Sequence, residues 1–208
     1  MTTQDLTPAT LPDKTQSDSA AAAAVGSQSP ITNSPWYQFL MLPECEQQGV
    51  DDVAILSTFK PLDHLPQELD ASSGTERPTP PELFLGIPLD TRMILDYAKK
   101  YELSAYADRR TMGPLGWVPP EAVTSDTVVN IDSTTLQVYD DIREYLWPNL
   151  TFQTGYGHPD PKMPFVPIFS LCSNRDPLDK RPTAEKIAEI RTELGFKEDP
   201  KWYLTMFA

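Results

Sequence analysis

The sequence predicts a mixed α/β or α+β domain. It would be a single mixed sheet of about four or five strands packed by three helices, behind a disordered N-terminal tail. Three observations carry this. Apolar residues recur at helical spacing in three stretches, each opened by a capping residue. Short apolar, β-branched runs stand between and around them. The first 34 residues contain no aromatic side chain and are rich in Ser, Thr, Gln, Pro and Ala, a composition that cannot bury enough apolar surface to offset its ordering entropy. The expected division is a tail over 1–34 and one globular domain over 35–208, an ordinary size for a domain that builds a core without disulfides.

In chain order, the aromatic cluster Trp36, Tyr37 and Phe39 marks the start of order, as a strand or a short helix; periodicity does not separate the two. The run Val53–Phe59, VAILSTF, has strand composition. Residues 60–81 read as a loop punctuated by Pro61, Pro66, Pro78, Pro80 and Pro81 and loosened by Ser72, Ser73 and Gly74. Within it, Arg77–Pro81 favours polyproline II, the form that aromatic-lined grooves read, although a plain spacer accounts for it as well.

The clearest unit is Glu82–Leu103. Leu83, Phe84, Leu85 and Ile87 form a short strand ended by Pro88, which has no N–H for a ladder. Asp90 then caps a helix, with Leu89 and Ile94 placed as a hydrophobic staple. Ile94, Tyr97, Ala98 and Tyr101 make its buried stripe, and Lys99 and Lys100 complement its C-terminal dipole. The two tyrosines read first as core packing and second as a binding face.

The segment 107–123 is turn-rich, with Trp117 and Val118 expected to tuck onto the core. Thr127–Ile131 is a strand candidate. Asp132 or Ser133 would cap the next helix, with Leu136, Tyr139, Ile142 and Leu146 inward and Trp147-Pro148 ending it. Residues 152–164 read as irregular. Phe165–Cys172 reads as a buried or an edge strand, and Pro167 favours the edge. Thr183 caps the third helix, whose stripe is Ile187, Ile190 and Leu194; Gly195 supplies the left-handed residue that closes it. Lys201–Phe207 is the last strand candidate. The resulting order, β-β-α-β-α-β-α-β, allows either parallel crossovers or an α+β sheet.

The formal net charge is −13, and residues 1–80 hold 3 basic against 11 acidic side chains. Such a balance disfavours nucleic-acid binding and docking on anionic membranes. Two cysteines, Cys45 and Cys172, do not make a disulfide framework and suit a reducing compartment. With no apolar run of membrane-spanning length and no secretory or mitochondrial leader pattern, the expected location is cytoplasmic or nuclear. Thr7-Pro8, Ser29-Pro30 and Ser34-Pro35 are possible proline-directed phosphorylation sites.

The candidate for chemistry is the loop Thr154-Gly155-Tyr156-Gly157-His158-Pro159-Asp160. A histidine with a nearby carboxylate is a general-base arrangement, and glycines allow a ligand close to the backbone. His158 would be the base and Asp160 its orienting group. Cys172, at the end of a strand, would be the nucleophile. The plainer readings are a turn closed by Asp160 and a cysteine buried as a small apolar residue. Cys45, His64, His158 and Cys172 are too scattered for a zinc motif, and the phosphate-loop and dinucleotide spacings do not occur. No cofactor or metal is expected. The functional expectation is a soluble, non-catalytic interaction or regulatory protein with a protein partner. The alternative is a small enzyme or metabolite-binding domain using the 154–160 loop.

Overall fold

A computed structural model describes residues 31–72, 79–109, 114–116, 123–158, 160 and 162–205. Residues 1–30 of the expected tail, the phosphorylation sites Thr7 and Ser29, and Trp117 and Val118 lie outside them. Ile31 to Ser34 form a turn, closed by the Ser34 hydroxyl on the Ile31 carbonyl (2.6 Å). Three short helices follow: α1 (Pro35–Leu40), α2 (Glu44–Gln47) and α3 (Asp52–Leu56). Pro35 occupies the first turn of α1, where its missing N–H costs nothing, and Trp36 and Phe39 are buried one turn apart.

Helix α3 replaces the strand expected over Val53–Phe59. The Asp51 carboxylate accepts the Ala54 N–H (3.0 Å), so a local cap outweighs the β-propensity of Val53 and Ile55. Beyond it the 60–81 loop contains a 3₁₀ turn at Gln67–Leu69 that buries Leu69 completely; residues 73–78 lie outside the described set.

The main sheet has four strands, β1 (Leu83–Pro88), β5 (Thr151–Tyr156), β6 (Phe165–Ser173) and β7 (Lys201–Leu204), in the order β5-β6-β1-β7. Every pairing is antiparallel, so of the two topologies the sequence allows, α+β is the one adopted. A small antiparallel sheet, β3-β2-β4, joins β2 (Tyr106–Asp108), β3 (Pro114–Gly116) and β4 (Thr127–Val129). Residues 152–164, expected to be irregular, supply most of β5. Pro167 is not on an edge strand, because β6 lies between β5 and β1. It is tolerated because the β1 register stops at Pro88 opposite Ile168, one residue short of it.

Helices α4 (Thr91–Lys100), α5 (Ile131–Tyr145) and α6 (Ala184–Leu194) cover one face of the sheet around Ile87, Phe169 and Leu171. The N-terminal segment covers the other around Leu83, Cys172, Trp202 and Leu204. A bulge makes both faces possible: Leu85 pairs with Cys172 but Gly86 with Ser170, passing over Leu171. Leu83 and Leu85 therefore meet the N-terminal segment while Ile87 meets the helices.

The punctuation read from the sequence holds for α4 and α6. The Asp90 carboxylate accepts the Arg92 N–H (2.6 Å). Thr183 caps α6, and Gly195 ends it at φ +66°, with the Phe196 N–H returning to the Arg191 carbonyl (2.9 Å). Helix α4 is tied to its neighbours by Tyr97 on Asp141 (2.8 Å) and Lys100 on Glu193 (2.7 Å). Helix α5 differs from expectation. Asn130 caps it, accepting the Ser133 N–H (2.9 Å), and its buried positions are Thr134, Val138 and Ile142. The Thr134 hydroxyl accepts the Ala105 N–H (3.0 Å) and also meets the Ala105 carbonyl. That hook turns Thr134 inward and Leu136, two residues on, outward, because neighbours two apart lie on opposite sides of a helix.

Asn174, just past β6, fastens the long loop to the sheet. Its Oδ1 accepts the Leu83 N–H (2.9 Å), and its Nδ2 donates to the carbonyls of Leu69 (2.6 Å) and Pro81 (2.8 Å). Its own carbonyl accepts the Ala71 N–H (3.1 Å) and Arg181 Nη2 (2.9 Å). Arg181 also pairs with Asp70 (2.7 Å).

Candidate functional site

Gly155 and Tyr156 end β5, and Gly157 turns the chain at φ +130°, a conformation only glycine adopts without strain. The space beside both glycines is occupied by the protein. A Cβ on Gly157 would lie 2.3 Å from the Pro61 ring, and one on Gly155 would lie 2.8 Å from the Tyr203 Cβ. The glycines expected to admit a ligand admit Pro61 and Tyr203. His158 is exposed; its N–H donates to the Pro164 carbonyl (3.1 Å), and its Nδ1 accepts the Asp160 N–H (3.1 Å). The Asp160 carboxylate accepts the Lys162 N–H (2.9 Å). This is the turn reading of Asp160: its carboxylate closes a backbone turn, and the His158 ring is held by the Asp160 amide.

Cys172 is buried among the side chains covering the N-terminal face. Burial pushes its thiol up to about 12, with Asp176 adding to the rise and Arg181 opposing it. A nucleophilic cysteine needs the opposite shift. Cys172 lies eight residues along β6 from Pro164, where the His158 loop is fastened. At about 3.3 Å per residue the two ends are on the order of 25 Å apart. The structure thus brings His158 and Asp160 together through the backbone and leaves Cys172 at the far end of the sheet.

A different surface stands out at the open side of the helical layer. A groove of about 350 Å³ runs between the start of α5 and the β5–β6 hairpin, lined by Leu89, Thr91 and Ile94, by Ile131, Asp132, Thr135 and Leu136, and by Phe152 and Pro167. Leu136 is 60% exposed and Phe152 44%. Both are large apolar side chains at the mouth of one concave surface, an arrangement that scattered surface hydrophobics do not make. The Phe152 ring meets Phe169 edge-on (centroids 6.3 Å apart), which fixes the floor of the groove to the core.

The two sheet edges are treated differently. On β7, Leu62 pairs with Trp202 through both backbone bonds (3.0 and 2.8 Å). On β5, the described residues give one bridge, Gly155 with Thr205, at the strand's far end. No backbone bridge joins Thr151–Thr154 to another described segment on that side.

The sequence reading places Leu136 in the buried stripe of α5 and does not single out Phe152; the structure exposes both. Asn130 as the cap, with Thr134, Val138 and Ile142 as the i, i+4, i+8 stripe, would have placed Leu136 outside. The alternation in Thr151-Phe152-Gln153-Thr154 is a strand signal that the following Gly and Pro residues obscured.

A larger cleft, of about 530 Å³, opens beside the start of β5, between Glu82, Phe84, Tyr139, Arg143, Asp176 and Lys180. Several of its polar groups serve the fold: Glu82 pairs with Arg175 (3.1 Å), Asp176 accepts the Ser173 N–H (2.6 Å), and the Tyr139 hydroxyl donates to the Leu150 carbonyl (3.1 Å). Among the described residues no three His, Cys, Asp or Glu side chains converge as a metal site requires, and no helix is long and apolar enough to cross a membrane. Comparison with protein-family models, curated proteins and solved structures found no match to this chain.

Proposed function

We propose that this chain is a non-catalytic protein-interaction module whose binding surface is the groove between α5 and β5. The observation that carries the reading is the pair Leu136 and Phe152, exposed at the mouth of a concave apolar surface whose floor is the core. Burying what remains exposed of each, about half of the side chain, is worth roughly 1 kcal/mol apiece, a contribution toward holding a short segment. The 154–160 loop supports the enzyme reading less well, since Pro61 and Tyr203 fill the space beside its glycines.

Selection of random dodecapeptides by display against the full chain tests this. Enriched peptides should bind the wild type and weaken at least tenfold against Leu136→Asp and Phe152→Glu, with both variants melting within a few degrees of wild type. Failure to enrich peptides above an unrelated control protein, or equal binding to both variants, would sink the reading.

A further inference from the structure

Resting on that reading, we infer that the groove's occupant is a cationic segment of another protein: a large apolar residue seated between Leu136 and Phe152, with Lys or Arg close beside it. The groove supplies the anchor, and its rim selects the charge. Helix α5 builds that rim. Positions four apart stack along one line of a helix, about 6 Å from each other along its axis. Asp132, Leu136 and Asp140 form such a line, and all three are exposed. The leucine at the mouth of the groove therefore has a carboxylate one turn before it and another one turn after it. Glu144, also exposed, continues the line. Arg143 is the single cation of α5; it lies two turns beyond Leu136 and lines the other cleft instead.

The rest of the surface points the same way. Asp132 is the one charged residue among those lining the groove; the facing wall, Leu89, Thr91, Phe152 and Pro167, is uncharged. An uncharged partner would cover these carboxylates without pairing them, which costs binding. A cation about two residues along an extended segment, or about one turn along a helical one, spans the 6 Å from the anchor to either aspartate. The chain as a whole carries a net charge of −13, a field that draws cationic segments and repels anionic ones. The same charge disfavours a second copy as the occupant, because a two-fold contact would set one acidic rim against another.

The dodecapeptides enriched on the full chain are the probe, with affinities read by fluorescence anisotropy. They should pair a large apolar residue with a nearby Lys or Arg. Asp132→Lys and Asp140→Lys should each weaken binding about three- to tenfold, and peptides whose cations are changed to glutamate should regain affinity on both variants. Glu198→Lys makes the same charge change at an exposed position just before β7, the opposite edge strand of the sheet, and should leave binding nearly unchanged. Raising salt from about 0.1 M to about 1 M cuts the screening length from about 10 Å to about 3 Å. Binding should then weaken at least threefold, whereas apolar contact alone would hold. Peptides that need Leu136 and Phe152 but carry no cation, or that ignore both Asp132→Lys and Asp140→Lys, would overturn the inference while leaving the groove reading standing. An equal loss on Glu198→Lys would assign the attraction to net charge and not to the rim, and would overturn it as well. Peptides indifferent to Leu136→Ser and Phe152→Ser, which change no charge, would instead remove the groove itself. A full chain that sediments as a dimer, and as a monomer once Phe152→Ser is introduced, would mean that a second copy occupies the groove and would also overturn the inference.

Discussion

Replacing Asn174 with alanine should be among the most damaging single changes in the protein. The side chain is fully buried and makes three hydrogen bonds to the backbone of segments far apart in sequence: Leu69, Pro81 and Leu83. Alanine leaves one N–H and two carbonyls without these partners. A buried polar group left unpaired costs about 1–3 kcal/mol. The carbonyls retain a second lone pair and can recruit water into the vacated space, so the loss should total about 3–5 kcal/mol rather than the full sum. For a domain of this size each kcal/mol moves the melting midpoint by about 2–4 °C, so a fall of about 6–20 °C is expected. The assay is urea unfolding followed by tryptophan fluorescence and far-ultraviolet circular dichroism. Asn174→Asp is the sharper companion: it keeps the shape and the acceptor for Leu83 but turns a carboxylate toward two carbonyls, so at neutral pH it should lose at least as much. A loss below about 1 kcal/mol for Asn174→Ala with an unchanged denaturant slope would refute the idea that this residue holds the 60–81 loop to the sheet.

Three further outcomes are expected. Burial alone would raise the Asp70 carboxyl, but hydrogen bonds from Arg181 and Ser72 outweigh it and hold the group below its ordinary value. A depressed folded value means that the contribution is present above the unfolded value, about 3.9, and is lost as pH falls through the folded one. Asp70→Asn should therefore cost about 1–2 kcal/mol at pH 7 in chemical unfolding, and the gap to wild type should close below about pH 4. Gly195→Ala meets no atom within 4 Å and should cost only the left-handed backbone penalty, about 1 kcal/mol. Gly155→Ala must displace Tyr203 and should cost more, about 1–3 kcal/mol, so thermal melting that ranks the two the other way would contradict the packing of β5 against β7. Finally, Cys45 is exposed and Cys172 buried, so a thiol reagent at pH 8 should titrate one group promptly in the native protein and both in urea.

Much of this fold is legible in the amino-acid order because its signals are local. A cap, a stripe and a terminating glycine lie within one helix, and so Asp90, Thr183 and Gly195 could be assigned by inspection. The runs at 83–88, 165–173 and 201–204 are short apolar segments whose composition already favours strands. Alternatives remained where two local signals compete or the deciding contact is distant. Val53 to Leu56 has strand composition but a helical cap at Asp51. Leu136 has core composition, yet the hook from Thr134 to Ala105, 29 residues away, sets the phase of α5 and turns Leu136 out. Periodicity in α5 allows both stripes, and that contact selects between them.

The candidate site divides along the same line. The sequence by itself marked Phe165–Cys172 as a strand and 154–160 as a glycine-rich stretch, since Gly, Pro and composition act within a few residues; it read 152–156 as irregular, although these residues form most of β5. Only the tertiary structure decided that Pro61 and Tyr203 fill the space beside Gly157 and Gly155, and that Cys172 faces a dry core far from His158. It also decided that Leu62 pairs with Trp202 along β7 and that Phe152 and Leu136 come together at one exposed surface. Edges, grooves and burial are properties of which segments meet, and that is settled by long-range packing and hydrogen bonding among segments dozens of residues apart.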